Sequence, residues 1–255
     1  MKIRLGLIQY AVTQNPLANR TRVFSLLDRA AKKKPDYLIL PEMWLGGPTE
    51  KRQRDRWARF YSDSLKKISG WSARRRIGCF FSQVEKSREA FYNTAWFIGR
   101  DGRVHGRYRK VHLFALDGES RLYRGGAFSA GGGKIAAVVC YDIRFPELVR
   151  LQARRGATLL IVCAQWPEAR IEHWLALLKA RAIENQIFVA ATNRLGVKGK
   201  NRYGGHSAVF DPWGRCLLHL PETREIGMID IDLKEVGRIR KSYPFFSDYV
   251  RRQKT

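Results

Sequence analysis

The 255-residue chain contains no run of about 18 apolar residues, so it offers no helix able to span a membrane. Its four cysteines, Cys79, Cys140, Cys163 and Cys216, form no CxxC pair and show no zinc-type spacing with the five histidines. Neither a metal centre nor a disulfide framework is expected. Three of the four lie inside or beside apolar runs, where a buried free thiol is the usual outcome, and a reducing, cytoplasmic setting fits them. Glycine (22) and proline (9) are too sparse and scattered for a collagen-like or wholly disordered chain. The opening MKIRLGLIQYAV places a basic residue ahead of apolar ones. Arg4 and Gln9 interrupt it and no small-residue cleavage site follows, so a buried first strand is expected rather than a signal peptide.

Acidic residues are the other scarcity. There are 23 Asp plus Glu against 48 Lys plus Arg, a formal net charge of +25. Such a balance favours anionic partners: nucleic acid, an anionic membrane surface or acidic small molecules. The cations are scattered, however, in short clusters such as Lys32-Lys33-Lys34 and Arg74-Arg75-Arg76 and in many singletons. No zinc finger, RRM-type aromatic motif or basic tail accompanies them, so a solvated basic surface is expected and a nucleic-acid partner is not.

What is present is an alternation of β-rich runs with amphipathic segments. KIRLGLIQ (2–9) alternates as a strand does. Residues 16–33 place Val23, Leu26, Leu27, Ala30 and Ala31 on one helical face. DYLIL (36–40) is a continuous apolar run, the pattern of a strand covered on both faces. Residues 51–69 read as a basic helix with Trp57, Phe60, Tyr61 and Leu65 inward, followed by strands at 77–84 and 94–99 and a turn at Asp101-Gly102. A second series follows: a strand at 135–140, a helix opened by Pro146 and closed near Gly156, a strand at 158–164, and a helix over 170–185 burying Ile171, Trp174, Leu175, Leu178 and Ala182. Strands are expected at 187–193, 206–212 and 226–232, with a turn at DPWG (211–214). No linker separates the two series. The expectation is a single α/β domain over residues 1–255, with helices on the outer faces of its sheets and a C-terminal tail from about 240.

Open α/β sheets place their sites just beyond the carboxyl ends of strands. Three polar residues fall there. Cys140 ends IAAVVC ahead of a Pro-initiated helix, whose positive end and neighbouring cations could lower its pKa; a buried strand cysteine is the plainer alternative. Glu42, in LILPEMW, is either a salt-bridge member or a general base of raised pKa. Lys110, in YRKVHLF, would on its own pass for a surface lysine in so basic a chain.

Taken together, with their surroundings, these residues resemble the nitrilase superfamily of carbon–nitrogen hydrolases. LPEMW is similar to the family's first glutamate motif, YNTAWFIGRDGRVHGRYRKVHLF to its lysine motif and VVCYDIRFPEL to its cysteine motif, and the resemblance continues through 173–196 and 203–214. CYDIRFPE, HLFALDGESRLYRGG and ARAIENQ look most like the ω-amidase branch, whose members release ammonia from small dicarboxylic monoamides. The resemblance implies a four-layer α-β-β-α sandwich, dimers pairing helices 146–155 and 170–185 about a two-fold axis, and no cofactor. It implies Cys140 as nucleophile, Glu42 as general base, Lys110 with the backbone N–H of Tyr141 around the oxyanion, and Glu119 positioning Lys110 or the attacking water. Arg144 is a candidate anchor for a substrate carboxylate or a structural arginine tied to Glu147 or to backbone carbonyls. Trp166 is a pocket wall or a core tryptophan. His173 and His206 do not read as bases, and His112 reads as a loop or core histidine. The loop Gly196–Arg202 departs from ω-amidase-like sequences, which are expected to carry an acidic residue where this chain has Lys198. Two alternatives stay open at this point: an N-carbamoyl amino acid amidohydrolase using the same four residues, and a basic protein binding nucleic acid or another anionic surface on this scaffold.

Overall fold

A computed structural model describes residues 1–126 and 133–252. The first half of the chain forms β1 (Lys2–Ile8), α1 (Pro16–Ala31), β2 (Tyr37–Ile39), α2 (Lys51–Arg75), β3 (Gly78–Ser87), β4 (Ala90–Ile98) and β5 (Val104–Arg109). A short helix, α3 (Glu119–Leu122), leads to the second half: β6 (Ile135–Val139), α4 (Pro146–Arg154), β7 (Leu159–Ala164), α5 (Ile171–Asn185) and β8 (Phe188–Asn193). The chain continues through a hairpin of β9 (Leu195–Lys198) and β10 (Asn201–Gly204), then β11 (Ala208–Phe210), β12 (Cys216–His219), β13 (Ile226–Asp232), α6 (Lys234–Ser242) and α7 (Phe245–Arg252). The stretch from about 240, expected as a tail, is therefore largely helical.

Local chemistry sets the boundaries. The Asn15 side chain accepts from the N–H groups of Leu17 and Ala18, and Pro16 occupies the first helical position of α1. Helix α4 likewise starts at Pro146, and Gly156 (φ +100°) turns the chain just past its end. Helix α2 runs a turn and a half beyond the expected 51–69. Its buried positions are Tyr61, Ser64, Ile68, Trp71 and Ser72, while Trp57, Phe60 and Leu65 are only half-buried at the edge of the same cluster. The core face is thus rotated toward the C-terminal half of the helix.

Beside the two-stranded β10-β9 hairpin, two larger sheets result, ordered β13-β1-β2-β3-β4-β5 and β12-β11-β8-β7-β6. Alternation along each strand divides the apolar residues among three layers. Leu38, Cys79 and Phe81 point outward to Val23 and Leu26 of α1 and Ile68 and Trp71 of α2. Leu5, Leu7, Ile39 and Phe80 point inward and meet Leu159, Ile161, Cys163 and Phe188 of the second sheet. Val138, Leu160, Val162 and Val189 point outward to Leu148 and Val149 of α4 and Trp174 and Leu178 of α5. The α-β-β-α sandwich is the packing that covers every one of these faces. Strands β2 and β3 run parallel, β4 reverses and β5 reverses again, while β6, β7 and β8 are mutually parallel. Consequently β2 and β5 end at one edge of the first sheet, and β6, β7 and β8 at one edge of the second.

Candidate active site

Glu42 follows β2, Lys110 follows β5, Glu119 opens α3 and Cys140 follows β6, and all four line one cavity of about 370 Å³. That volume lies within the range of small-molecule sites, roughly 300–1,000 Å³. The expected strand 135–140 stops one residue early: Cys140 begins a single 3-10 turn with φ +46°, a left-handed conformation rare for a residue with a Cβ. The chain therefore turns sharply at the sulfur and takes it out of the strand's pleat. Asp142 holds the turn, accepting from the Tyr108 hydroxyl (2.8 Å) and from the N–H groups of His112 (2.8 Å) and Val139 (3.3 Å).

The loop after β2 is tied to both sheets. The Glu42 N–H donates to the carbonyl of Ala164, the Gln165 amide donates to the Glu42 carbonyl (2.9 Å), and the Thr192 hydroxyl donates to the Leu40 carbonyl (2.9 Å). Within this frame each carboxylate oxygen of Glu42 has a donor: Oε1 accepts from Asn93 Nδ2 (2.7 Å) and Lys110 Nζ (3.0 Å), and Oε2 from the Gln165 N–H (3.0 Å). Glu119 mirrors it. Its Oε2 accepts from Lys110 Nζ (2.7 Å) and the Phe114 N–H (2.8 Å), and its Oε1 from Asn93 Nδ2 (3.0 Å). One lysine is shared between two carboxylates, and one asparagine bridges the same pair.

The electrostatics follow from this packing. Lys110 is 2% exposed; burial opposes its charge, but Glu42, Glu119 and Cys140 outweigh that and raise its pKa well above the ordinary 10.5. Burial pushes the Glu119 carboxyl up, and Lys110 with the donors Asn93 and Phe114 pulls it below the ordinary value. For Cys140 the expectation of a lowered pKa fails. Burial, then the neighbouring Glu42 carboxylate, push the thiol well above its ordinary value, and Lys110 and the hydrogen bond to the Gln165 carbonyl only partly oppose them. Helix α4 begins six residues further on, too far for the falling field of a helix terminus to reverse this. Both dominant causes favour the thiol over the thiolate.

The remaining expected residues all line the cavity. Tyr141 stands at the second position of the 3-10 turn, where its backbone N–H has no acceptor within the turn. Trp166 is both wall and core: it is buried against Trp174, with its N–H groups donating to Asn193 and to the Arg170 carbonyl. Among the described residues Arg144 is tied neither to Glu147 nor to a backbone carbonyl. Its guanidinium lies over the Trp166 ring, 4.7 Å from the centroid, and 3.3 Å from His173 Nδ1. His112 stacks on Phe145 and hydrogen-bonds Asp142, and His206 contacts His219 and Glu168; neither lines the cavity. Sequence reasoning missed Asn93 and Gln165. The available signal was a polar side chain interrupting the apolar run YNTAW, and another directly after LLIVCA. Among the described residues no group of three His, Cys, Asp or Glu could hold a metal ion, and no helix is long and apolar enough to cross a membrane.

A model of the carbon-nitrogen hydrolase family matches residues 4–241. The 2-oxoglutaramate amidase of Bacillus subtilis (strain 168) is 34% identical over 97% of this chain and 98% of its own length. The omega-amidase NIT2 of Bos taurus is 31% identical over 96% of this chain and 94% of its own. The crystal structure of a carbon-nitrogen hydrolase from Helicobacter pylori G27 superposes with a TM-score of 0.91 at 24% identity, covering 97% of this chain and 95% of that one, and shares the sandwich fold. With the family model spanning nearly the whole chain, the protein belongs to the carbon-nitrogen hydrolase family of the nitrilase superfamily and is a hydrolase acting on carbon–nitrogen bonds.

Proposed function

We propose that the protein is a cysteine-dependent amidase that hydrolyses a small, carboxylate-bearing aliphatic amide to acid and ammonia through a thioester. The observation that carries this reading is the ammonium of Lys110 held 3.0 Å from Glu42 and 2.7 Å from Glu119 in the cavity that also receives Cys140. The names of the relatives, 2-oxoglutaramate amidase and omega-amidase, support the substrate class.

An amide carbon is a weak electrophile and ammonia a poor leaving group, so splitting the reaction through a covalent intermediate lowers each barrier. Because Cys140 rests as a thiol, its proton must leave as the C–S bond forms, and Glu42 is the base in place to take it. The carbonyl oxygen gains charge in the tetrahedral state and is met by the Lys110 ammonium and the Tyr141 N–H, each such donor commonly contributing about 3 kcal/mol. Glu42 then protonates the departing nitrogen, the C–N bond breaks and a thioester remains. Water attacks it, with Glu42 accepting a proton and returning it to the sulfur. Glu119 and Asn93 touch neither reacting atom; they fix Lys110 and Glu42. Arg144, a planar cation on the cavity wall, pairs with the substrate carboxylate.

The test is an ammonia-release screen over ω-monoamides, simple aliphatic amides, carbamoyl amino acids and nitriles. Release from ω-monoamides that disappears in Cys140→Ala is the expected result. Full release by Cys140→Ala sinks the reading, and carbon dioxide appearing beside ammonia moves it to carbamoyl substrates.

A further inference from the structure

Besides Lys110, four cations among the described residues line the cavity: Arg144, Arg170, Lys198 and Lys200. Arg144 is engaged by Trp166 and His173, and Arg170 lies over the Phe114 ring, 5.6 Å from its centroid. Lys198 differs. Its side chain is half-buried, and among the described residues its ammonium makes no ion pair or hydrogen bond. Burial, then the Arg194 guanidinium, lower its pKa, while Glu42, Asp117 and Glu119 act in the opposite sense. It therefore feels the Glu42–Glu119 wall, whereas Arg144 is held against the Trp166 wall.

The segment carrying Lys198 is built to hold it there. Leu195 donates its N–H to the Tyr10 carbonyl, the buried Arg194 side chain donates to the Val12 and Leu195 carbonyls, and Lys198 pairs with Asn201 across the hairpin. Gly196 (φ +92°) and Gly199 (φ +58°) supply the left-handed bends on either side of Val197-Lys198. A half-buried cation on a fixed support, facing a cavity and lacking a carboxylate, is offset by an anion arriving in that cavity. The cavity, at about 370 Å³, has room beyond a five-carbon monoamide.

We propose that the substrate is a dianionic amide, with one carboxylate facing Arg144 and a second anionic group facing Lys198. This rests on the amidase reading above and adds to it the charge of the substrate and the residue that selects it.

Three probes separate the possibilities: glutaramate, with one carboxylate; 3-carboxyglutaramate, with a second on the acyl chain, both releasing ammonia; and N-glutarylglycine, with a second on the leaving amine, which departs as glycine by the same thioester route and is read by glutarate formation. The native protein should favour one of the two dianions over glutaramate in kcat/KM by about ten-fold or more, the scale of one charge-assisted contact. Lys198→Arg should keep that ratio, Lys198→Gln should collapse it toward one, and Lys198→Asp should invert it. A purely structural role would lower all three substrates together and leave the ratio standing, which overturns the proposal, as does a native preference for glutaramate. Calorimetric titration of Cys140→Ala with the same probes reads binding without turnover. Equal affinities there overturn the dianion whatever the native protein hydrolyses, whereas tighter dianion binding without turnover in the native protein overturns the amidase chemistry and leaves the Lys198 site intact.

Discussion

The ends of β6 and β7 carry two buried thiols almost side by side. Val139 pairs with Cys163 in the ladder, so Cys140 lies one residue past the rung that Cys163 occupies. Both thiols are raised above the ordinary 9.0, by burial first and by Glu42 second. Protonation thus does not distinguish them; location does. Cys163 sits within a strand and points between the sheets, packed with Leu159, Ile161 and Phe188. Cys140 sits on a left-handed turn and opens to a cavity that also holds a carboxylate and an ammonium. On the proposed mechanism a buried cysteine acts as nucleophile through room and a neighbouring base, not through burial.

The same contrast holds for two buried glutamates. Glu85 on β3 accepts from Arg109 with both oxygens (2.9 and 2.7 Å), from Arg107 (2.9 Å) and from Thr94 (2.7 Å). Its partners leave no place for a reactant. Glu42 is as fully bonded, but among its neighbours are a thiol and a cavity.

The sharpest way to break the first contrast is to delete each sulfur. Cys140→Ala should lower kcat by about 10⁴-fold or more, as losing a nucleophile does, whereas Cys163→Ala should leave steady-state hydrolysis within about three-fold and lower the melting temperature instead. Equal losses would erase the distinction. For the glutamates, Glu42→Gln should cost about 10²–10⁴-fold in kcat, the range of general acid–base catalysis. Glu85→Ala should remove about 1–2 kcal/mol of unfolding free energy in urea titrations, for the charge-assisted bonds lost by the half-buried Arg109 and the more exposed Arg107, with kcat nearly intact. The finest effect concerns pH. Glu119 is held below its ordinary 4.5, so its contribution to stability is complete above that value, fades as the pH falls beneath it and is gone below the lowered pKa. The stability gap between the native protein and Glu119→Gln should follow that course in denaturant titrations across pH 7 to 3. A gap that is flat in pH would detach Glu119 from Lys110.

Much of the fold was legible because alternation is a local property. KIRLGLIQ, DYLIL and TLLIVCA each declare a strand by their own apolar spacing, and Pro146 declares the start of α4. Strands β5 (VHGRYR) and β12 (CLLH) escaped notice because they are largely exposed at the edges of their sheets, where no alternation is required. The β9–β10 hairpin escaped for a related reason: it joins neither main sheet, its strands pairing with each other and, at Leu195, with Ala11, and it read as a loop. Glu42, Lys110, Glu119 and Cys140 were legible as candidates through family resemblance, Asn93 and Gln165 only as polar residues within or just after an apolar run, since a hydrogen bond to a distant carboxylate leaves no periodic trace.

The amino-acid order alone determined which segments could be strands and helices, which faces were apolar and that the molecule would be strongly cationic, because each depends on neighbours in the chain. Only the tertiary structure decided that Lys110 would meet Glu42 across 68 residues, that burial and Glu42 would push the Cys140 thiol up and that Lys198 would face a cavity with no ion pair among the described residues. Those outcomes depend on which strand ends the sheets bring together and on how little water remains between them, and neither quantity is written in any local stretch of sequence.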